Sequence, residues 1–168
     1  YIKRKNNGKG SIYVSEISVQ PLAQKEEAKS DNAIENGDFS MGMKEWSYEG
    51  KKAPGKLLND YPDLGKTAYC MHNDGEGFNS LYHMGIPLKS GTSYELSLSM
   101  KCDGVPEDDI SVLLLCFGPD KSGKESPMAW IQVPAGSGVV NLIATGGSYG
   151  WKKLSAKIPA VSIPSTAK

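Results

Sequence analysis

Residues 32–46, from Asn32 to Trp46, read NAIENGDFSMGMKEW. Ile34 and Phe39 are the strongly apolar residues of the first half, and Asn36-Gly37-Asp38 between them is a turn signal. Asn and Gly tolerate φ > 0, and Asp hydrogen-bonds its own backbone. Gly42 allows a second turn and delivers Trp46 beside the charged Lys44 and Glu45. An indole set among turn residues and charges is expected to be half exposed, as a stacking platform for a ligand is.

The surrounding chain has 168 residues, enough for one domain with a real core and too few for two comfortable ones. Its 19 basic and 19 acidic residues cancel. That argues against nucleic acid or an anionic membrane as partner, because both reward a basic face. No apolar run approaches the roughly 18 to 20 residues of a membrane span. No signal peptide is recognisable at the N-terminus, so a soluble piece of a larger chain is expected. Gly (19) and Pro (10) are plentiful and the apolar segments are short, a composition of strands joined by turns. Cys70, Cys102 and Cys116 lie in apolar or alternating segments without CxxC spacing. They read as small buried hydrophobes, with one disulfide and a free thiol as the alternative. His72 and His83 are not spaced with any cysteine as zinc ligands are.

Residues 1–22 read as a hairpin: YIKRK, a turn at NNGKG, and a returning SIYVSEISV in which the alternation slips at Ser15-Glu16, the mark of a bulge or a ligand-bearing spot. AQKEEAKSD (23–31) is polar and linker-like. After Trp46, KKAPGKLLNDYPDLGK reads as loop. TAYCMHN and FNSLYHMGIPL read as strands. SYELSLSMK alternates cleanly, with Tyr94, Leu96, Leu98 and Met100 on one face. ISVLLLCFG is apolar on both faces and fits a central strand. MAWIQVP, VVNLIAT and WKKLSAKIP complete some nine to eleven strands with no helix. The expected fold is all-β, an antiparallel two-sheet β-sandwich.

The pattern Asn-x-x-x-Asn-Gly-Asp-Phe-Ser-x-Gly-x-x-x-Trp resembles the opening of the carbohydrate-binding modules of families 4, 9, 16 and 22, with family 16 the most similar. Those are jelly-roll sandwiches of the galactose-binding kind. In such modules a segment like SIYVSEISV looks like the last strand, yet here it comes first. The resemblance therefore implies a circular permutant: 1–22 is a displaced closing hairpin, 23–31 a linker, and 32–168 the main body of the same sandwich. A cut from a tandem array is the alternative. The 9-residue linker spans up to about 30 Å, ample where first and last strands are neighbours. A hairpin docked on a neighbouring copy would instead give a swapped homodimer.

The resemblance further implies binding of β-1,4-linked glucan and mannan chains, as part of a secreted bacterial glycoside hydrolase. A pyranose presents a flat C–H face on which an indole stacks. Trp46 and Trp151 adjoin turns and are the expected platforms. Trp130 lies mid-strand, equally fit for core or cleft, since Trp often anchors a sandwich core. Gln132 shares Trp130's strand face, and its amide suits vicinal hydroxyls; Asn79, Tyr82 and Asn141 are candidates of the same kind. Two platforms plus a few hydrogen bonds amount to micromolar binding, about 8 kcal/mol. A structural Ca²⁺ between opening loop and last strand is also implied. Carboxylates from Asp38 and Glu16 and carbonyls near Ser40 and Lys66 would hold it, since Ca²⁺ takes six to eight hard oxygens. Ser40 departs from the acid that often follows Phe in these modules.

Catalysis is not expected. The acids Asp60, Asp63, Glu107, Asp108, Asp109 and Asp120 cluster in turns, as solvated charge does, whereas glycosidases hold two carboxyls across a cleft. No Gly-x-Ser-x-Gly elbow is read, GGSYG at 146–150 matching it in letters alone, and HExxH and P-loop motifs are absent. The alternative to a sugar binder is a structural or protein-interaction sandwich, a spacer in a multi-module enzyme, with its tryptophans in the core.

Overall fold

A computed structural model describes residues 1–4, 9–22, 32–50, 55–61, 64, 66–75, 77–107, 109–119, 125–133, 139–142 and 146–160, the strand residues from 115 to 142 by their backbone alone. Among the described residues the chain is nearly all strand, turn and loop. The strands are β1 (Ile2–Arg4), β2 (Lys9–Pro21), β3 (Trp46–Gly50), β4 (Lys56–Leu58), β5 (Ala68–Asp74), β6 (Asn79–His83), β7 (Tyr94–Val105), β8 (Ile110–Pro119), β9 (Glu125–Val133), β10 (Val139–Leu142) and β11 (Gly147–Ile158). They form two sheets. A 6-stranded sheet runs β10-β9-β8-β1-β6-β3, with β10 also bonded to β8, and a 5-stranded sheet runs β11-β7-β2-β5-β4. Pairing is antiparallel except for the short β9–β10 ladder. The expected two-sheet sandwich is the observed fold.

Alternation in the sequence becomes the two faces of each sheet. On β7 the residues Tyr94, Leu96, Leu98, Met100 and Cys102 are all buried. Opposite them on β2 stand Ile12, Val14 and Val19, and from the other sheet Ile2, Leu81, Ile110, Val112 and Leu114 complete one core. Each fully buried Leu, Ile or Met contributes about 1.5–3 kcal/mol relative to exposure, so this layer dominates folding.

Residues 1–22 are not a hairpin. β1 lies in the 6-stranded sheet between β6 and β8, where Ile2 faces both Leu81 and Val112. β2 lies in the other sheet between β5 and β7. A 3-residue β1 could satisfy only a fraction of the 13-residue β2, whereas β5 and β7 pair most of its length. The chain thus passes from one sheet to the other, and Arg4 fastens the crossing. Its guanidinium, fully buried, donates to Gly10 O (2.6 Å), Lys9 O (3.1 Å) and Asp109 Oδ2 (2.8 and 2.6 Å).

The slip at Ser15-Glu16 is a bulge, with the β2–β7 register shifting between Ser15 and Ser18 and Glu16 at φ 51°. Beyond Val14, β5 no longer pairs with β2, and residues 32–37 take its place. Ile17 N donates to Gly37 O (2.8 Å), Ala33 N to Val19 O (2.9 Å) and Val19 N to Asn32 Oδ1 (2.9 Å). Gly37 is required here, since a Cβ on it would lie 1.9 Å from the Ile17 carbonyl oxygen. Two strands, β3 and β4, are not among those expected from the sequence, β4 falling inside the stretch read as loop. Both are sheet edges, where short and charged strands are the rule.

Candidate functional site

The opening loop is built around Asn36. Its amide donates to the carbonyls of Gly42 (3.0 Å) and Lys44 (2.8 Å), and its Oδ1 accepts from Met41 N (2.9 Å). Asn36, Phe39 and Glu45 all have left-handed φ, at 52°, 58° and 66°. The last of these turns the chain so that Trp46 points inward. Its indole is 8% exposed, donates Nε1–H to Asn36 O (2.9 Å), and packs on Phe39 (5.1 Å) and edge-on to His83 (5.2 Å). Trp46 is therefore a core residue and cannot be a stacking platform. Lys44 and Glu45 are exposed as expected, but the left-handed step between Glu45 and Trp46 reverses the direction their charge suggested.

Asn79 is likewise corrected. It is 2% exposed, accepts from Tyr48 Oη (2.9 Å) and donates to His72 O (2.9 Å), so its amide has no free end for a hydroxyl. Tyr82 stacks on Tyr1 at 5.0 Å. The side chains of Trp130, Gln132 and Asn141, with that of Cys116, lie outside the described residues. Cys70 and Cys102 are free thiols, and burial raises both above the ordinary thiol range.

Trp151 lies differently. It is half-buried, outside the core cluster, and meets Tyr61 edge-on at 5.5 Å. Tyr61 in turn meets Tyr13 at 5.3 Å. The Lys101 ammonium sits 5.1 Å from the Tyr61 ring centre and 5.8 Å from that of Tyr13, within cation–π range. Tyr13 pairs with Lys101 and Cys70 across the 5-stranded sheet, between the fully buried Ile12 and Val14. Period two therefore places Tyr13, Lys101 and their contacts on the outer face. Tyr13 and Tyr61 were not read as site residues. Tyr13 carried a signal, the out-facing phase of an otherwise apolar strand; Tyr61, inside a loop with two prolines, carried none.

Beside these rings the same face opens into a groove of about 730 Å³, lined among others by Glu16, Ser18, Asp38, Asp60, Lys66 and Lys153. Ser99 and Lys153, both lining the groove, are each two residues along their strands from Lys101 and Trp151, about 7 Å. Groove and aromatic cluster are thus neighbours on one surface. The four residues expected at a metal, Asp38, Glu16, Ser40 and Lys66, all line this groove.

Their bonding fits an ammonium rather than a hard divalent ion. Glu16 accepts from Ser99 Oγ at Oε2 (2.9 Å) and from Lys66 Nζ at Oε1. The Lys66 hydrogen bond, and next to it that of Ser99, holds the carboxyl below the usual carboxylate range. Asp38 Oδ1 accepts from Ser40 N (3.1 Å), which lowers that carboxyl too. The Lys66 carbonyl accepts from Tyr61 N (3.1 Å). A Ca²⁺ needs six to eight oxygens; here both Glu16 carboxylate oxygens, Asp38 Oδ1 and the Lys66 carbonyl already accept a hydrogen bond, and the Lys66 ammonium stands among them.

Comparison with protein-family models, with characterised proteins and with solved structures finds no match to this chain.

Proposed function

We propose that the chain is a non-catalytic carbohydrate-binding module whose outer face on the 5-stranded sheet takes a β-1,4-linked glucan or mannan chain. The observation that carries the reading is the Tyr13–Tyr61–Trp151 cluster beside a polar groove of about 730 Å³. The rings offer apolar faces to the C–H side of a pyranose. The exposed charges of Lys153 and Asp60 line the groove beside them and can read sugar hydroxyls. The opening motif supports the same reading, including residence in a larger secreted bacterial glycoside hydrolase.

Isothermal titration with cello- and manno-oligosaccharides tests it. Trp151→Ala and Tyr61→Ala are each expected to weaken binding about tenfold or more, equivalent to roughly 1.4 kcal/mol. Wild-type protein that binds neither series would end the proposal.

A second reading, a structural spacer, draws on the burial of Trp46, which removes one of the two expected platforms. It requires that no oligosaccharide raises the melting temperature and that Trp151→Ala changes nothing but stability.

A further inference from the structure

We propose that Lys66 is a positioning residue: its ammonium supplies the cation that ties Tyr61, through Lys66, to the β2 bulge, where the family resemblance implies a metal, and so sets Tyr61 against Tyr13 and Trp151. The inference rests on the proposed binding face for its consequence, though not for its geometry.

Three bonds converge here. The Lys66 carbonyl accepts from Tyr61 N. The Lys66 side chain reaches Glu16 on the bulge. The next carbonyl, that of Thr67, accepts from Ser15 Oγ (2.7 Å) on the same strand. Tyr61 is therefore joined to β2 through Lys66 by one backbone and one side-chain bond. Glu16 is held to receive that bond: a left-handed φ of 51° at a non-glycine residue is a conformation the surroundings must impose. Ser99 Oγ, from β7, fixes the other carboxylate oxygen. An acid so placed, with two donors from two flanking elements, is satisfied without a metal.

Exposure decides what kind of role this is. The Lys66 and Glu16 side chains are 54% and 37% exposed, and pairs so open to water add little to global stability. Loss of the ammonium should leave the sandwich folded and free the loop that carries Tyr61. A merely stabilising surface pair would behave in the opposite sense, with a small change in melting temperature and none in the rings.

The test reads the rings directly, in ligand-free protein. Nuclear Overhauser contacts between the Tyr61 ring and the Trp151 indole are expected in wild type and in Lys66→Arg, and lost in Lys66→Met and Glu16→Gln, with melting temperatures close to wild type. Neither calcium chloride nor a chelator should alter the contact or the melting temperature. Titration of the four proteins with a manno- or cello-oligosaccharide should then show about a tenfold loss in Lys66→Met, restored in Lys66→Arg. Persistence of the ring contact in Lys66→Met would overturn the proposal, as would its loss on chelation alone. If the contact follows Lys66 while wild type binds no sugar, the clamp stands and the carbohydrate reading fails.

Discussion

Removing the guanidinium at the sheet crossing should be among the most damaging single changes in this protein. Arg4→Met deletes a side chain with no exposed surface and leaves Asp109, 4% exposed, without its counter-charge. The carbonyls of Gly10 and Lys9 lose a donor at the same time. Breaking a buried pair by removing one partner costs about 3–5 kcal/mol. That is a large share of the roughly 5–15 kcal/mol by which domains are stable, so the variant should sit near the edge of folding. Asp109→Asn should cost less, because an amide oxygen still accepts from Nε and Nη2. The double variant Arg4→Met/Asp109→Leu should recover about 2 kcal/mol of the single loss, since an apolar pair of similar volume removes the stranded charge. Urea denaturation at neutral pH of wild type, Arg4→Met, Asp109→Leu and the double variant closes the cycle and gives the coupling energy. A cost below about 1 kcal/mol for Arg4→Met, the range of exposed pairs, would refute the reasoning, as would a double variant no better than the worse single one.

Gly37→Ala places a methyl 1.9 Å from the Ile17 carbonyl, a backbone atom that cannot rotate away, and should cost about 1–3 kcal/mol; an unchanged melting temperature would mean the opening loop does not pair with β2. Burial pushes the Tyr69 phenol from 10.0 up to about 12, so the unfolded chain ionises first and stability is full below pH 10 and lost as pH rises toward 12. Two units correspond to roughly 2–3 kcal/mol. Because the Tyr69 hydroxyl has no hydrogen-bond partner of good geometry among the described residues, Tyr69→Phe should be near neutral at pH 7 and lose less stability in alkali; parallel alkaline curves for the two proteins would contradict this. Trp46→Ala should destabilise by about 3–5 kcal/mol as a core truncation, measured by thermal melting, against a change near 1 kcal/mol or less for Trp151→Ala; equal losses would remove the distinction between core and surface indoles.

Which features were legible follows from what a local pattern encodes. Alternation records which face a side chain takes, and β7 obeyed it from Tyr94 to Cys102 because one face meets the core throughout. The slip at Ser15-Glu16 was visible for the same reason. Partners are another matter. Nothing in YIKRK distinguishes a strand that folds back on SIYVSEISV from one that enters the opposite sheet, because both bury Ile2 and expose Lys3. What tells them apart is Asp109, more than a hundred residues away, which gives the Arg4 charge a buried partner. Trp46 was misjudged by a related route. Its neighbours announced solvent correctly, but direction changed at one left-handed residue, Glu45, and composition carries no sign for that.

The candidate site depends on this same mixture of local and distant causes. Tyr13 is outward by simple period two, yet it becomes part of a cluster because a loop from the far edge of the sheet lays Tyr61 on it and β11 brings Trp151 alongside. The bulge that interrupts β2 serves the first of these. By ending the pairing with β5 at Val14, it opens a backbone edge that residues 32–37 fill, and it turns Glu16 toward the groove to meet Lys66. A regular strand at this point would have kept its pairing and lacked an acid to hold the loop. One inserted residue thus binds the fold-deciding turn on one side and shapes the candidate binding face on the other, so a change that straightens β2 at Glu16 should disturb both together.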